Sequence, residues 1–303
     1  MKVPCYPDFA PIDLETRNEI HPRLLSAGDG ISEFTFSNLY LFRNRYQYKI
    51  AAVNTADNGI IISGETPGQG TRFFMTPCGF PGFDVLDDLF QSHDYWKNIP
   101  ESLLELEAGD SSLGRRLEER GIVVSEDRDN FDYLYLRAEL AALSGKRFHK
   151  KKNLVNAFLN TWPDHAERPL EKDLIPDALS VLEYWRRDKG EDGDYMAAKE
   201  ALEIFSTLEL RGAVYYVGGK PAAYCLGESA CGGAMFSIHF EKALDQYKGI
   251  YQYMNQAFAA ALPETFTRIN REQDLGDEGL RQAKMTYRPV GFVKKYRGER
   301  PGK

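Results

Sequence analysis

The sequence predicts an α/β protein built from two similar units in series. Short apolar runs bounded by turn residues recur as strand meanders in both halves, and each meander feeds a glycine-containing loop and then helix, strand, helix and strand. Size agrees: 303 residues, 43% apolar and 13% aromatic, can bury more than one core.

Residues 34–46 mix aromatics with arginine and suit an amphipathic helix or a loop packed on a sheet. Strands are expected at 48–54, 59–63 and 72–76, each bounded by Gly, Asn, Asp or Pro. The loop of Pro77, Cys78, Gly79, Phe80, Pro81 and Gly82 leads into a helix over 84–91, a strand over 102–106 and a helix over 112–120 that Gly121 stops. Strands at 122–125 and 132–136 close this half.

The middle reads as helical over 146–160, 174–187 and 195–208, punctuated by Pro163, Pro169 and residues 190–193. Strands follow at 212–217, 222–228 and 234–240, the first two joined by a turn at Gly218, Gly219, Lys220 and Pro221. A helix over 250–261, a strand over 266–270, a helix over 278–287 and a strand over 291–296 complete the chain. The order repeats that of the first half without sequence identity, so the expectation is a structural repeat of ~130 residues, with domains over 1–140 and 141–303.

A net charge of -7 and a pI near 5.4 argue against a surface that grips nucleic acid throughout and leave room only for a local basic patch. Cys5, Cys78, Cys225 and Cys231 have no C-x-x-C spacing, and His21, His93, His149, His165 and His239 are scattered, so no metal site and a reducing compartment are expected. No apolar signal segment and no run near the ~18 residues needed to cross a bilayer is present, so the expectation is a cytoplasmic chain without stable membrane insertion.

The turn of Gln246, Tyr247, Lys248, Gly249 and Ile250 delivers the chain into the 250–261 helix. The first N–H groups of a helix lack intrahelical partners and carry the positive end of its dipole, so such a turn is an anion site. Gly249 lets the backbone approach a phosphate, and Lys248 adds charge; the other reading is a tight turn with Gln246 on the surface. Residues 246–251 resemble the Q/R-x-x-G-x-G/A signature of GNAT acyltransferases, whose loop binds the pyrophosphate of coenzyme A, and depart from it at Tyr251. Ala283 and Tyr287, followed by Gly291 and Phe292, resemble the A-x-x-x-Y helix end and G-F strand of the same enzymes, with Leu280 where Asn is usual. Pro289 stops that helix. In GNAT enzymes this tyrosine often protonates the leaving thiolate, so the resemblance implies Tyr287 as the catalytic acid, against a helix-end tyrosine that merely packs on the sheet.

Three segments are similar to the C-terminal domain of phosphatidylglycerol lysyltransferases: Asp132, Tyr133, Leu134, Tyr135; residues 145–153; and Asn270, Arg271, Glu272, Gln273, Asp274, Leu275, Gly276. The resemblance implies two tandem GNAT-like units, each a central mixed sheet flanked by helices, and transfer of an aminoacyl group from aminoacyl-tRNA to a lipid headgroup. The sequence has no counterpart of the multi-span membrane region that precedes the catalytic domain in those enzymes, which leaves the acceptor open.

The one strongly basic run holds Lys146, Arg147, His149, Lys150, Lys151 and Lys152. Lys150, Lys151 and Lys152 are candidates for tRNA or coenzyme A phosphates, against a solvated helix face. Alternation over 234–240 sets Phe236, Ile238 and Phe240 on one face and Met235, Ser237 and His239 on the other, so His239 is a candidate base for an acceptor amine, against a hydrogen-bonded strand residue. Glu228 and Glu241 are alternative bases; Asn270, Glu272 and Asp274 are candidates for the acceptor, while Asp274 and Asp277 also suit helix caps. The functional expectation is an acyl- or aminoacyltransferase using acyl-CoA or aminoacyl-tRNA, without a metal, acting on a small amine or hydroxyl acceptor. The alternative is a non-catalytic module that keeps the fold.

Overall fold

The computed structural model describes residues 3–26, 28–53, 59–106, 111–190 and 193–302. The chain forms two units, the first from Met1–Asp132, Gln273–Gly276 and Phe292–Lys303 and the second from Tyr133–Glu272 and Asp277–Gly291. In chain order the strands are β1 (Ala10–Pro11), β2 (Lys49–Ala52), β3 (Ile60–Glu65), β4 (Arg72–Met75), β5 (Tyr95–Pro100), β6 (Val123–Glu126), β7 (Asp132–Leu136), β8 (His165–Pro169), β9 (Arg211–Val217), β10 (Lys220–Ala230), β11 (Met235–Ala243), β12 (Arg268–Asn270), β13 (Gly291–Val293) and β14 (Lys295–Glu299).

These make two seven-stranded sheets, ordered β1-β2-β3-β4-β5-β14-β6 and β13-β7-β12-β11-β10-β9-β8. Read from β1 in one and β8 in the other, the orders superimpose: four strands, the strand that follows a helix, an inserted strand and an edge strand. The inserted strands are exchanged in sequence, since the first sheet takes the last strand of the chain and the second takes β7 from its middle. The expected boundary at 140/141 therefore differs from the division found, because β7 and β14 each pair across the sequence rather than with their chain neighbours. Each sheet contains one parallel pair, β4 with β5 and β11 with β12. Two residues beyond the last register pair, Asn98 and Glu272 both adopt φ 56°, a left-handed backbone uncommon for non-glycine residues.

In the first unit the helix Phe83–Ser92 presents Leu86, Leu89 and Phe90, one face at i, i+3 and i+4, to Phe74 and Trp96 of the sheet. The strand expected over 102–106 is absent. Only Leu103 is buried in the turn Glu101–Leu104, and the strand lies earlier, where Tyr95, Trp96 and Ile99 are buried. Lys295, fully buried on β14, gives its ammonium to Glu33 and, at 2.7 Å, to Asp132, while Ser32 N–H donates to Asp132 at 2.8 Å. Nothing in the sequence pattern foretold this ionic cluster.

In the second unit the helices Ile175–Lys189 and Ile250–Ala261 pack on the sheet. The helix expected over 195–208 ends at Glu203, and the strand expected over 291–296 is two strands, β13 and β14, belonging to different sheets. Residue 54 of the strand expected at 48–54, and residues 191 and 192 of the break at 190–193, lie outside the described residues.

Candidate functional site

The register of β11 decides how its side chains are shared between the two faces of the sheet. Leu226 pairs with Phe240 and Gly227 with Ile238, so His239 is an extra residue, a β-bulge. Gly227 is required there, since a Cβ at that position would lie 2.1 Å from the Ser237 carbonyl oxygen. The bulge breaks the simple alternation expected from the sequence. Phe236 packs on Phe258, and Glu241 accepts from Asn255 Nδ2 at 2.8 Å, so both face the helix Ile250–Ala261. Lys242 faces the opposite way, its Nζ 3.7 Å from the ring centre of Trp185.

Parallel pairing of β11 with β12 ends at Ser237 and Asn270. Past that point the gap between the strands is spanned by two ion pairs. On the face of the helix Ile250–Ala261, Arg271 donates to Glu241 Oε2 from Nε at 3.2 Å and Nη2 at 2.5 Å. On the other face, His239 Nδ1 donates to Glu272 at 2.7 Å and Nε2 to Glu228 at 2.9 Å. Lys284, buried on the helix Glu278–Met285, holds the turn below by donating to the carbonyls of Arg271 at 2.6 Å and Glu272 at 3.0 Å. The sheet thus parts the residues that the sequence groups together: Glu241 and Tyr287 share one face through Arg271, and His239 and Glu228 share the other.

The His239 side chain is 1% exposed. Burial alone would discharge it, but hydrogen bonds from both ring nitrogens to carboxylates outweigh burial and push its pKa up to about 10. Near neutral pH it is an imidazolium with neither nitrogen available to take a proton, which argues against its expected role as base. Asp274 parts from Asn270 and Glu272 as well. It belongs to the first unit, buried, pairing with Arg128 at 3.4 Å and accepting the Gly276 N–H at 3.0 Å. Asn270 is buried, and its Oδ1 accepts the Glu272 N–H at 2.7 Å, fixing the left-handed turn.

Tyr287 is 4% exposed, its ring edge-on to Tyr135 with centroids 6.4 Å apart. Burial pushes the phenol up to about 12, against the pull of Arg271 and Gln252, yet neither closes a hydrogen bond of ordinary geometry with the hydroxyl. Arg271 Cζ lies 5.0 Å from the ring centre and Lys151 Nζ 4.0 Å from it. Arg271 Nη1 is likewise buried without a partner. Burial and the nearby guanidinium push Lys151 down to about 8. Successive helix residues are ~100° apart, so the basic run cannot act as one surface: Lys150 and Lys152 are exposed, and Lys151 turns inward toward Tyr287. Arg271 and Lys151 are what sequence reasoning missed as partners of Tyr287; Arg271 lies inside the Asn270-to-Gly276 segment already singled out.

The turn before the helix Ile250–Ala261 holds Gln246 and Lys248 exposed, Tyr247 half-buried, Gly249 as the N-cap at φ 94° and Ile250 buried. A Cβ on Gly249 would sit 2.5 Å from the Leu154 carbonyl oxygen, so the close approach at this glycine is made by the helix His149–Thr161. Tyr251, where a small residue was expected, accepts the Ala243 N–H at 3.2 Å through its hydroxyl and so satisfies the end of β11. No cluster of metal-binding side chains occurs among the described residues, and no described helix is long and apolar enough to cross a membrane.

Comparison with known proteins agrees with this architecture. A conserved protein of unknown function from Bacteroides thetaiotaomicron superimposes with a TM-score of 0.83 at 30% identity, covering 96% of this chain and 98% of its own. A tandem GNAT protein from the clavulanic acid biosynthesis pathway covers 98% of this chain and 99% of its own with a TM-score of 0.51 at 11% identity, a likeness of fold. An uncharacterized protein of Mycoplasmoides gallisepticum is 23% identical over 180 residues, a match that spans 57% of each chain. Two mixed seven-stranded sheets with flanking helices are thus a tandem GNAT-like fold. The family model for the C-terminal region of phosphatidylglycerol lysyltransferase matches residues 27–298, nearly the whole chain, and the protein belongs to that family.

Proposed function

We propose that the protein transfers an aminoacyl or acyl group from an activated donor to an amine or hydroxyl acceptor, with Tyr287 protonating the departing atom. The observation that carries this is the buried Tyr287, whose ring lies against Arg271 and Lys151 and whose hydroxyl closes no hydrogen bond of ordinary geometry, beside the parted strands. The acceptor lone pair attacks the carbonyl carbon, the bond to the donor breaks, and Tyr287 passes its proton to the leaving atom while the Arg271 guanidinium, joined by Lys151 once it has taken the acceptor's proton, steadies the charge forming there. Lys151, partly neutral near pH 8, takes the acceptor's proton and returns it to the phenolate.

An oxygen ester such as aminoacyl-tRNA suits this corner better than a thioester. A thiol, with a pKa of ~8.5, departs as its anion without help, whereas a far more basic ribose alkoxide needs both an acid and cations. Acyl-CoA is the second reading, favoured by Gln246, Tyr247, Lys248, Gly249 and Ile250 at a helix N-terminus. On either reading Glu241 lies on the face of Tyr287, Glu228 and Glu272 hold His239 on the other, Asn270 fixes the turn between them, and Lys150 and Lys152 remain exposed for tRNA phosphates.

The test is single-turnover transfer to hydroxylamine from a panel of radiolabelled aminoacyl-tRNAs and from acetyl-CoA, comparing wild type with Tyr287→Phe and Lys151→Met. Loss of about 100-fold or more in both variants with an ester donor is expected. Turnover with none of the donors would leave the fold as a binding module.

A further inference from the structure

A cleft of about 460 Å³ in the second unit lies away from Tyr287 and is lined by Trp162, Asp164, Gly218, Lys220, Gln246 and Tyr247, with Val217. Its size falls within the range of small-molecule sites. Its walls are fixed by local backbone chemistry. Gly218 and Gly219, at φ 57° and 73°, make the tight turn that joins β9 to β10, and Leu244 N–H donates to the Ala222 carbonyl at 2.9 Å, bringing the 246–247 segment beside that turn. The helix His149–Thr161 ends as Trp162 N–H donates to Phe158, and His165 donates back to the Trp162 carbonyl from its backbone N–H at 3.2 Å and from Nδ1 at 2.8 Å. Pairing of His165 with Val217 then brings Asp164 over the turn, where a Cβ on Gly218 would meet its carboxylate at 3.2 Å.

The result is a set of unlike groups around one space. Trp162 and Tyr247, both half-buried, stand edge-to-face with centroids 5.2 Å apart, leaving aromatic surface for a planar ring. Asp164 can accept from an exocyclic amine or a ribose hydroxyl. Lys220 is exposed and has no ion pair among the described residues. Planar base, hydrogen-bond donors and phosphate are the three parts of a nucleotide, and Gln246 and Tyr247 belong both to this cleft and to the turn before the helix Ile250–Ala261.

We propose that this cleft binds an adenosine phosphate, the base against Trp162 and Tyr247, its amino group or ribose at Asp164 and the phosphate at Lys220. Coenzyme A carries this group far from its thioester, so as part of a donor site the inference rests on the acyl-CoA reading above, whereas the cleft as a nucleotide site does not; the terminal adenosine of an aminoacyl-tRNA carries the ester itself and would have to lie at Tyr287. Titration of intrinsic fluorescence with AMP tests it, since Trp96 is fully buried and Trp185 lies under Lys242. A saturable change is expected with AMP, weaker with adenosine and absent with ribose 5-phosphate, and it should vanish in Trp162→Phe while a radiolabelled AMP binding assay still registers affinity.

Trp162→Ala and Lys220→Ala should each weaken AMP by about tenfold. Lys220 sits at an exposed turn, so its variant remains informative even where Trp162→Ala folds poorly. Competition by coenzyme A or by deacylated tRNA identifies the source. Unchanged fluorescence at about 10 mM AMP, far above weak-site affinity, or unaltered AMP affinity in Lys220→Ala, overturns the proposal. AMP binding without any transfer leaves the cleft standing and removes the transferase; transfer with wild-type KM in both variants does the reverse.

Discussion

Replacing His239 by Gln should change how stability depends on pH. The imidazolium's pKa rises from 6.5 to about 10 in the folded protein, where burial is outweighed by the hydrogen bonds to Glu228 and Glu272. A folded-state pKa above the unfolded value means that the stabilisation is fully present below pH 6.5 and is lost as pH rises through 10. At about 1.4 kcal/mol for each tenfold, this interval sets a ceiling of roughly 5 kcal/mol. Desolvation of the two carboxylates lowers the net benefit of the trio, although breaking it by removing one member costs about 3–5 kcal/mol. Urea denaturation from pH 6 to pH 10 reads both effects. The wild type should lose stability steeply across this range, and His239→Gln should start lower near pH 7 and show a flatter profile. Parallel profiles for the two proteins would refute the bridging imidazolium, as would imidazole nitrogen chemical shifts showing a neutral ring at pH 8.

Three further outcomes follow from the packing. A fragment of residues 1–140 lacks β14, the shared neighbour of β5 and β6, and should show no cooperative thermal transition; one that melts cooperatively would contradict the exchanged-strand architecture. Lys295→Met leaves Glu33 and Asp132 buried without their cation and should cost about 3–5 kcal/mol in urea denaturation, with partial recovery when Glu33→Gln is added. Gly82→Ala and Gly249→Ala both place a side chain at φ 94°, a strain of about 1–2 kcal/mol, but only Gly249 would push a Cβ against the Leu154 carbonyl. Gly249→Ala should therefore be the more destabilising; equal losses would remove helix packing as the reason for this glycine.

Much of the fold is legible in local pattern. The helix Ile250–Ala261 and the strand Asp132–Leu136 match their expected bounds, because each is a periodic run between strong punctuation: Gly249 before the helix, turn residues around the strand. The strand Tyr95–Pro100 was missed because Lys97 and Asn98 interrupt its apolar run, and its place in the middle of a sheet follows from long-range partners that no window contains. The site divides in the same way. Tyr287 is visible at a helix end before Pro289 and Gly291, and the 246–250 turn is visible as a glycine before a helix.

What the sequence by itself determined is most of the helices and meander strands and the repeat of their order, since these rest on periodicity and on the backbone preferences of Gly and Pro within a few residues. Tertiary structure alone decided which strand enters which sheet, and therefore where Asp274 and Lys295 belong. It also decided the faces of β11. One extra residue at His239 resets a period of two, so alternation counted along the chain misassigns every side chain beyond the bulge. The charge states of His239, Lys151 and Tyr287 come last, because they depend on burial and on partners more than 30 residues away, Glu272 for His239 among them.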